Sequence, residues 1–234
     1  MSKSVAIIQS NYIPWKGYFD IINAVDEFIL YDEVQYTRSD WRNRNKIIGT
    51  SGLLWLTIPV GAKNHFHRSI SSITVADSKW HHKHCRTIQQ SYTRALHFET
   101  IFPMLERIYE SCEGILHLSE INWLFTQEVC RILGIDTKIT FSSEYQVDTG
   151  LAKTEKLAAL CVAAGATRYI SGPSASAYLE ERQFADAGIK VEYMSYADYP
   201  QYRQLSNSFE HHVSIVDLLL NEGLNARHFM KSFQ

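Results

Sequence analysis

Val5-Ala6-Ile7-Ile8-Gln9-Ser10-Asn11 is the stretch from which the fold can be read. Four apolar residues give way to three polar ones, and Pro14 follows. Trp15 to Val25 has helical character, and Phe28-Ile29-Leu30-Tyr31 is a second apolar run ending at Asp32. Strand, loop, helix and strand in that order make a βαβ unit, whose strands run parallel with a right-handed crossover. An uninterrupted apolar run, as opposed to an alternating one, fits a parallel strand covered on both faces.

Further along, the same grammar returns. Lys138 to Phe141 reads as a strand ending at Ser142-Ser143-Glu144, Lys153 to Ala164 as a helix closed by Gly165, and Arg168-Tyr169-Ile170 as a strand ending at Ser171-Gly172. Val191 to Tyr196 reads as a last strand. Between the two units, Lys46-Ile47-Ile48, the turn Gly49-Thr50-Ser51-Gly52, and Leu53 to Ile58 before Pro59 predict a hairpin. From Ser78 to about Leu133 the pattern is helical, clearest where Ile121, Leu124, Phe125, Val129 and Ile132 recur ahead of Gly134, a C-terminal cap. Ser214 and Asp217 have the spacing of a helix cap and its acceptor. The expected architecture is one α/β unit over residues 1–234. Its open, mostly parallel sheet has flanking helices, an inserted hairpin and a helical insertion at about 78–134.

Composition bounds the function classes. Of 234 residues 45% are hydrophobic and 21% charged, with 23 Lys+Arg against 25 Asp+Glu. A disordered chain or a general nucleic-acid binder would be more polar or more basic, so no nucleic-acid partner is expected. No run approaches the ~20 apolar residues of a membrane span, and none near the start has the length of a signal peptide. Cys85, Cys112, Cys130 and Cys161 are widely spaced without a C-x-x-C, which predicts free thiols in a reducing cytoplasm.

Ligands of open parallel sheets collect outside the carboxyl ends of the strands, where loops and helix N-termini present unpaired backbone donors. The strand-end residues are Gln9, Ser10 and Asn11, then Asp32 and Gln35, then Ser142, Ser143 and Glu144, then Ser171, Gly172 and Ser174. None belongs to a GxGxxG or GxxxxGK[ST] loop, so the usual dinucleotide and P-loop readings fail. The densest positive cluster runs from Tyr36 to Lys46. There the arginines, Arg42 and Arg44 among them, offer planar forks for phosphate oxygens, Asn43 and Asn45 offer amides, and Trp41 offers a stacking face; a solvated loop is the alternative.

The run Trp80-His81-His82-Lys83-His84-Cys85 lacks an HExxH or a second Cys/His pair, so no metal is expected, and His84 is read as a general base or a polar pocket residue. His65, His67, His211 and His212 are expected at the surface. Gly17 near the start of the first helix implies a close approach, either of a ligand or of a neighbouring element of the fold.

Several segments together resemble the WbqC-like protein family. They are Gln9-x-x-Tyr12-x-Pro14-Trp15-x-Gly17-Tyr18-Phe19-Asp20, Asp26-x-Phe28, Asp32-x-x-Gln35-Tyr36, Trp41-x-Asn43-Arg44-Asn45, Trp55-Leu56-Thr57-x-Pro59-Val60, Tyr169-x-Ser171-Gly172, Pro200-x-Tyr202 and Ser214-x-x-Asp217-Leu218-Leu219. The likeness covers nearly the whole chain; Gln9-Ser10 departs from the Gln-Pro of most members. The family occurs in gene clusters for bacterial surface polysaccharides such as O-antigen. The resemblance implies transfer of glycine or a similar acyl group to a nucleotide-linked amino sugar. The donor it implies is an acyl or aminoacyl thioester carried by CoA or an acyl carrier protein, with no other cofactor. Under it Asp32 or His84 is the base and Asn11 or Asn43 the oxyanion donor. Gln9, Tyr12, Trp15, Gly17, Tyr18, Gln35, Trp41, Arg42, Asn43, Arg44, Asn45, Ser171 and Gly172 bind substrate.

A second, more distant similarity is to nucleotidylyl transferases and pantoate ligases. Trp15-Lys16-Gly17-Tyr18 stands where those proteins carry an H-x-G-H motif, without its histidines. An ATP-dependent ligase or nucleotidyl transferase, and a non-catalytic ligand-binding subunit, therefore remain as alternatives.

Overall fold

The computed structural model describes residues 2–61, 67–148 and 150–234. Strand β1 (Ser4–Ile8) sends Val5 and Ile7 into one apolar cluster, with Ile29, Leu160, Tyr169 and Phe184. Ala6 points into another, larger cluster with Phe19, Ile22, Phe28 and Leu30. Both faces of the strand are therefore covered, which is why its sequence shows no polar alternation.

Helix α1 (Lys16–Asn23) crosses to β2 (Glu27–Leu30), which pairs with β1 in parallel. The chain then leaves the sheet. It forms a hairpin of β3 (Arg44–Gly49) and β4 (Gly52–Thr57), in register from Arg44↔Thr57 to Gly49↔Gly52. Helices α2 (Trp80–Tyr92), α3 (Phe98–Ser111) and α4 (Leu118–Leu133) follow. The last ends at Gly134, whose φ of 69° is left-handed as a C-terminal cap requires.

Strand β5 (Lys138–Phe141) returns to the free side of β2. Helix α5 (Lys153–Ala163) then carries the chain to β6 (Arg168–Ser171), on the opposite side of β1. Helix α6 (Glu181–Asp186) and β7 (Lys190–Tyr193) complete a five-stranded parallel sheet of order β5-β2-β1-β6-β7, and α7 (Ile215–Glu222) follows. Both strands of the second expected βαβ unit exist and are parallel, but β2 and β1 stand between them. The direction in which strands are added thus reverses beside β1, and this opens a crevice at the carboxyl ends of β1 and β6.

At the start of α7, Ser214 Oγ accepts the Val216 N–H at 3.2 Å. The Asp217 carboxylate is not part of that cap, as the spacing had predicted. It turns into the core and accepts from Tyr92 Oη (2.8 Å), Tyr202 Oη (2.7 Å) and Gln204 Nε2 (2.7 Å), and burial pushes its pKa up. The four cysteines are free thiols. Among the described residues no helix is long and apolar enough to cross a membrane. His67 is exposed, whereas His65 lies outside the described residues.

Candidate functional site

A crevice of about 870 Å³ opens at the reversal point. Gln9 from the end of β1, Gln35 beyond β2, and Ser171, Gly172 and Ser174 from the end of β6 line it. Ala152, Lys153 and Thr154 at the N-terminus of α5 line it as well, as does Glu180. The first-turn N–H groups of a helix have no intrahelical partner, and the helix dipole places partial positive charge there, so this end favours an anion. Lys153 is exposed and adds a full charge. Tyr31, Tyr169 and Tyr178 supply aromatic wall.

The polar cluster at 42–45 does different work from the ligand clamp its sequence predicts. Two irregular loops, residues 9–15 and 36–43, lie against each other, and their buried carbonyls need donors. Arg42 Nη1 donates to Ser10 O at 3.2 Å. Asn45 Nδ2 donates to Tyr12 O (3.2 Å) and Ile13 O (3.0 Å). Asn43 Nδ2 donates to Ile58 O (2.8 Å) while its Oδ1 accepts from Tyr36 Oη (2.9 Å). The Tyr12 N–H bonds Trp41 O at 3.0 Å, and Asn122 Nδ2 reaches both Ser10 Oγ (3.0 Å) and Arg42 O (2.8 Å). These side chains fasten one loop to the other. Arg44 differs: its guanidinium lies 4.2 Å from the Trp55 ring centre, and it lines a cavity of about 170 Å³ with Tyr36, Arg38 and Ser39.

Asp32 and His84, expected as bases, are likewise built into the frame. Asp32 is buried; its Oδ1 accepts the Ser10 N–H at 2.8 Å and its Oδ2 accepts from Ser119 Oγ. His84 Nε2 lies 3.1 Å from Thr57 O, which can only accept, so Nε2 carries the proton. Nδ1 is then the acceptor for the Tyr12 hydroxyl at 2.8 Å, and Tyr12 in turn accepts from Tyr109 at 2.7 Å. Burial lowers the His84 pKa to about 4, which keeps the ring neutral. Neither residue lines the crevice. The Cys85 thiol beside it is pushed up to about 11 by burial and by Glu106 and Glu110. Among the described residues no group of three or more His, Cys, Asp and Glu is arranged to hold a metal.

The close approach at Gly17 is made by Trp15, within the same chain. A Cβ on Gly17 would lie 2.3 Å from Trp15 Cζ2. The Trp15 indole folds back over the first turn of α1 and packs edge-on to Tyr196 (5.1 Å) and Tyr199 (5.7 Å). Tyr18 is buried, and its hydroxyl donates to Gln9 O at 3.0 Å, setting the end of β1 against α1. Trp41 is 40% exposed and stacks on Trp55, with ring centres 5.6 Å apart. Asn11, Pro14, Trp15, Trp41, Asn45 and His212 line a second, smaller cavity of about 240 Å³.

The structure therefore divides the expected site residues. Gln9, Gln35, Ser171 and Gly172 meet in the large crevice, and Asn11, Trp15, Trp41 and Asn45 in the small one. Tyr12, Tyr18, Asp32, Arg42, Asn43 and His84 hold the walls in place. The sequence reading missed Lys153, Thr154 and His212. The start of the second crossover helix was a usable signal for the first two, because the strand-end rule applies to helix N-termini as well as to strands.

A profile of the WbqC-like protein family matches residues 9–229. An uncharacterized protein of Mycobacterium tuberculosis, Rv1507c, is 45% identical over 229 residues, spanning 98% of this chain and 98% of its own. No solved structure matches the chain. With the family profile covering every strand of the sheet except β1 and most of the lining of both cavities, this chain belongs to the WbqC-like protein family.

Proposed function

We propose that the protein is an acyl or aminoacyl transferase that binds a nucleotide-linked amino sugar and acylates its amine, in bacterial surface polysaccharide biosynthesis. One observation carries the reading: the crevice of about 870 Å³ lies where an open parallel sheet reverses, and the α5 N-terminus with Lys153 lines it together with Gln9, Ser171 and Gly172. Its volume is within the roughly 300–1,000 Å³ of small-molecule sites. The Lys153 ammonium and several hydroxyls suit a diphosphate, set against the Glu180 carboxylate in the same lining and Glu155, which already accepts the Ala152 N–H at the start of α5, and tyrosines suit the base and sugar.

In the reaction the free amine attacks the thioester carbonyl. A C–N bond forms, the C–S bond breaks, the thiol leaves, and the amine gives up a proton. Gln9, Gln35 and Asn11 supply amides that orient the reacting groups. Asp32 and His84 enter as positioning residues: Asp32 holds the turn that carries Gln9 and Asn11, and His84 holds Tyr12 beside it.

The test is to incubate pure protein with dTDP-linked amino sugars and glycyl or other acyl thioesters, including CoA and acyl-carrier-protein forms, and to seek the conjugate by mass. Absence of product together with absence of sugar-nucleotide binding overturns the reading. A second reading, a non-catalytic binding subunit, is favoured by the full engagement of Asp32 and His84. It expects a thermal shift with the sugar nucleotide and no product with any donor.

A further inference from the structure

We propose that the smaller cavity, between Trp41 and Asn11, is a carbohydrate subsite. One pyranose ring lies against the indole of Trp41 while the Asn11 amide meets its polar rim. This deepens the reading above, from which it takes only the expectation that the ligand carries a sugar.

Four observations support it. Among the described residues the Asn11 amide lines the cavity without a protein partner, whereas both ends of the Asn43 and Asn45 amides are engaged. The lining, two tryptophans, a proline, two asparagines and a histidine, contains no carboxylate. That chemistry matches the apolar C–H face and polar rim of a sugar ring better than a second phosphate.

The cavity is also preorganised. Trp41 is backed by Trp55, and its carbonyl is tied to the Tyr12 N–H. Ile13 next to it holds a φ of +38°, a conformation a β-branched residue adopts only when its surroundings impose it, here through Asn45 Nδ2 on its carbonyl.

Size and position complete the case. About 240 Å³ is below the range for a whole drug-sized ligand and fits a single ring. Tyr196 stands between the two cavities. Its ring is 5.1 Å from that of Trp15, and its hydroxyl is 3.9 Å from where a Cβ on Gly172 would lie. A sugar nucleotide with its nucleotide in the large crevice can therefore direct its sugar toward the small one.

The experiment compares dTDP, a dTDP-linked amino sugar and a methyl aminoglycoside as ligands of the wild type, Trp41→Ala, Trp41→Phe and Asn11→Ala. Affinity is read by calorimetry and ligand contacts by saturation-transfer NMR. Trp41→Ala and Asn11→Ala are expected to weaken the sugar nucleotide about tenfold or more, toward the affinity of dTDP alone, while dTDP changes less than about twofold. Trp41→Phe keeps most of the affinity. Should Trp41→Ala not fold, Asn11→Ala and Trp41→Phe carry the same comparison.

Equal weakening of dTDP and its sugar conjugate overturns the subsite, and so does unchanged affinity in both tryptophan and asparagine variants. Saturation transfer to the thymine protons of dTDP that Trp41→Ala removes, with none to the sugar of either glycoside, also overturns it. Sugar binding lost on mutation without product formation in the wild type supports the subsite and overturns transfer. Product formation with sugar binding indifferent to both residues does the reverse.

Discussion

Ser10 donates its backbone N–H to Oδ1 of Asp32 at 2.8 Å, tying the carboxyl end of β1 to that of β2. Most family members are expected to carry proline at this position, and proline has no N–H to give. Ser10→Pro should therefore lower stability by about 1–3 kcal/mol, the cost of an orphaned buried acceptor. Urea unfolding measures it, and an unchanged midpoint would show that the bond contributes nothing.

Asp32 itself separates positioning from proton transfer. Asp32→Asn keeps the shape and an acceptor for Ser10, so sugar-nucleotide binding and turnover should stay within about tenfold of wild type. A general base typically contributes about 10²–10⁴-fold, and a loss of that size would restore Asp32 as the base.

His84 makes stability depend on pH in a defined window. Its folded pKa of about 4 lies below the ordinary 6.5, so the unfolded chain binds more protons between those values. The stabilisation from the neutral ring is complete above pH 6.5 and is lost as the pH falls through about 4, a swing of about 3 kcal/mol. Urea midpoints from pH 7 to 4 should fall more steeply for wild type than for His84→Gln. Parallel curves would count against it.

Gly17→Ala places a methyl group 2.3 Å from Trp15 Cζ2, so the indole must leave its seat against Tyr196 and Tyr199. A loss of about 1–3 kcal/mol is expected from such overpacking. A shifted tryptophan emission maximum should accompany it; a spectrum and midpoint matching wild type would mean that the ring has room to move.

Lys153→Ala probes the anion end of the large crevice. Affinity for a nucleoside diphosphate should fall about tenfold, the low end for a charge-assisted bond because Lys153 is exposed, and less at high salt. Calorimetry at two ionic strengths gives the answer, and equal affinity in both proteins would remove the diphosphate from this crevice.

The sheet was legible because burial on two faces demands apolar runs such as Val5 to Ile8, and the hairpin and Gly134 cap because turns and helix ends need particular residues. Asp217 was misread because a carboxylate three residues beyond a serine has the same spacing whether it caps a helix or enters the core among Tyr92, Tyr202 and Gln204. For Arg42, Asn43 and Asn45 the sequence could not show the engagement with buried carbonyls, for a related reason. Polar residues beside a strand end look the same whether their amides meet a ligand or a buried carbonyl.

The sequence by itself determined the order of strands and helices, the hairpin, the helical insertion and the family. These depend on local periodicity and on short motifs that adjoining residues carry. Only the tertiary structure decided which strand ends share a crevice, that Lys153 and Gln9 line the same one, and that Asp32 and His84 are occupied within the frame. Those facts follow from the reversal of strand addition beside β1 and from hydrogen bonds between residues far apart in the chain. Neither leaves a local pattern, because a donor's partner is set by packing in three dimensions.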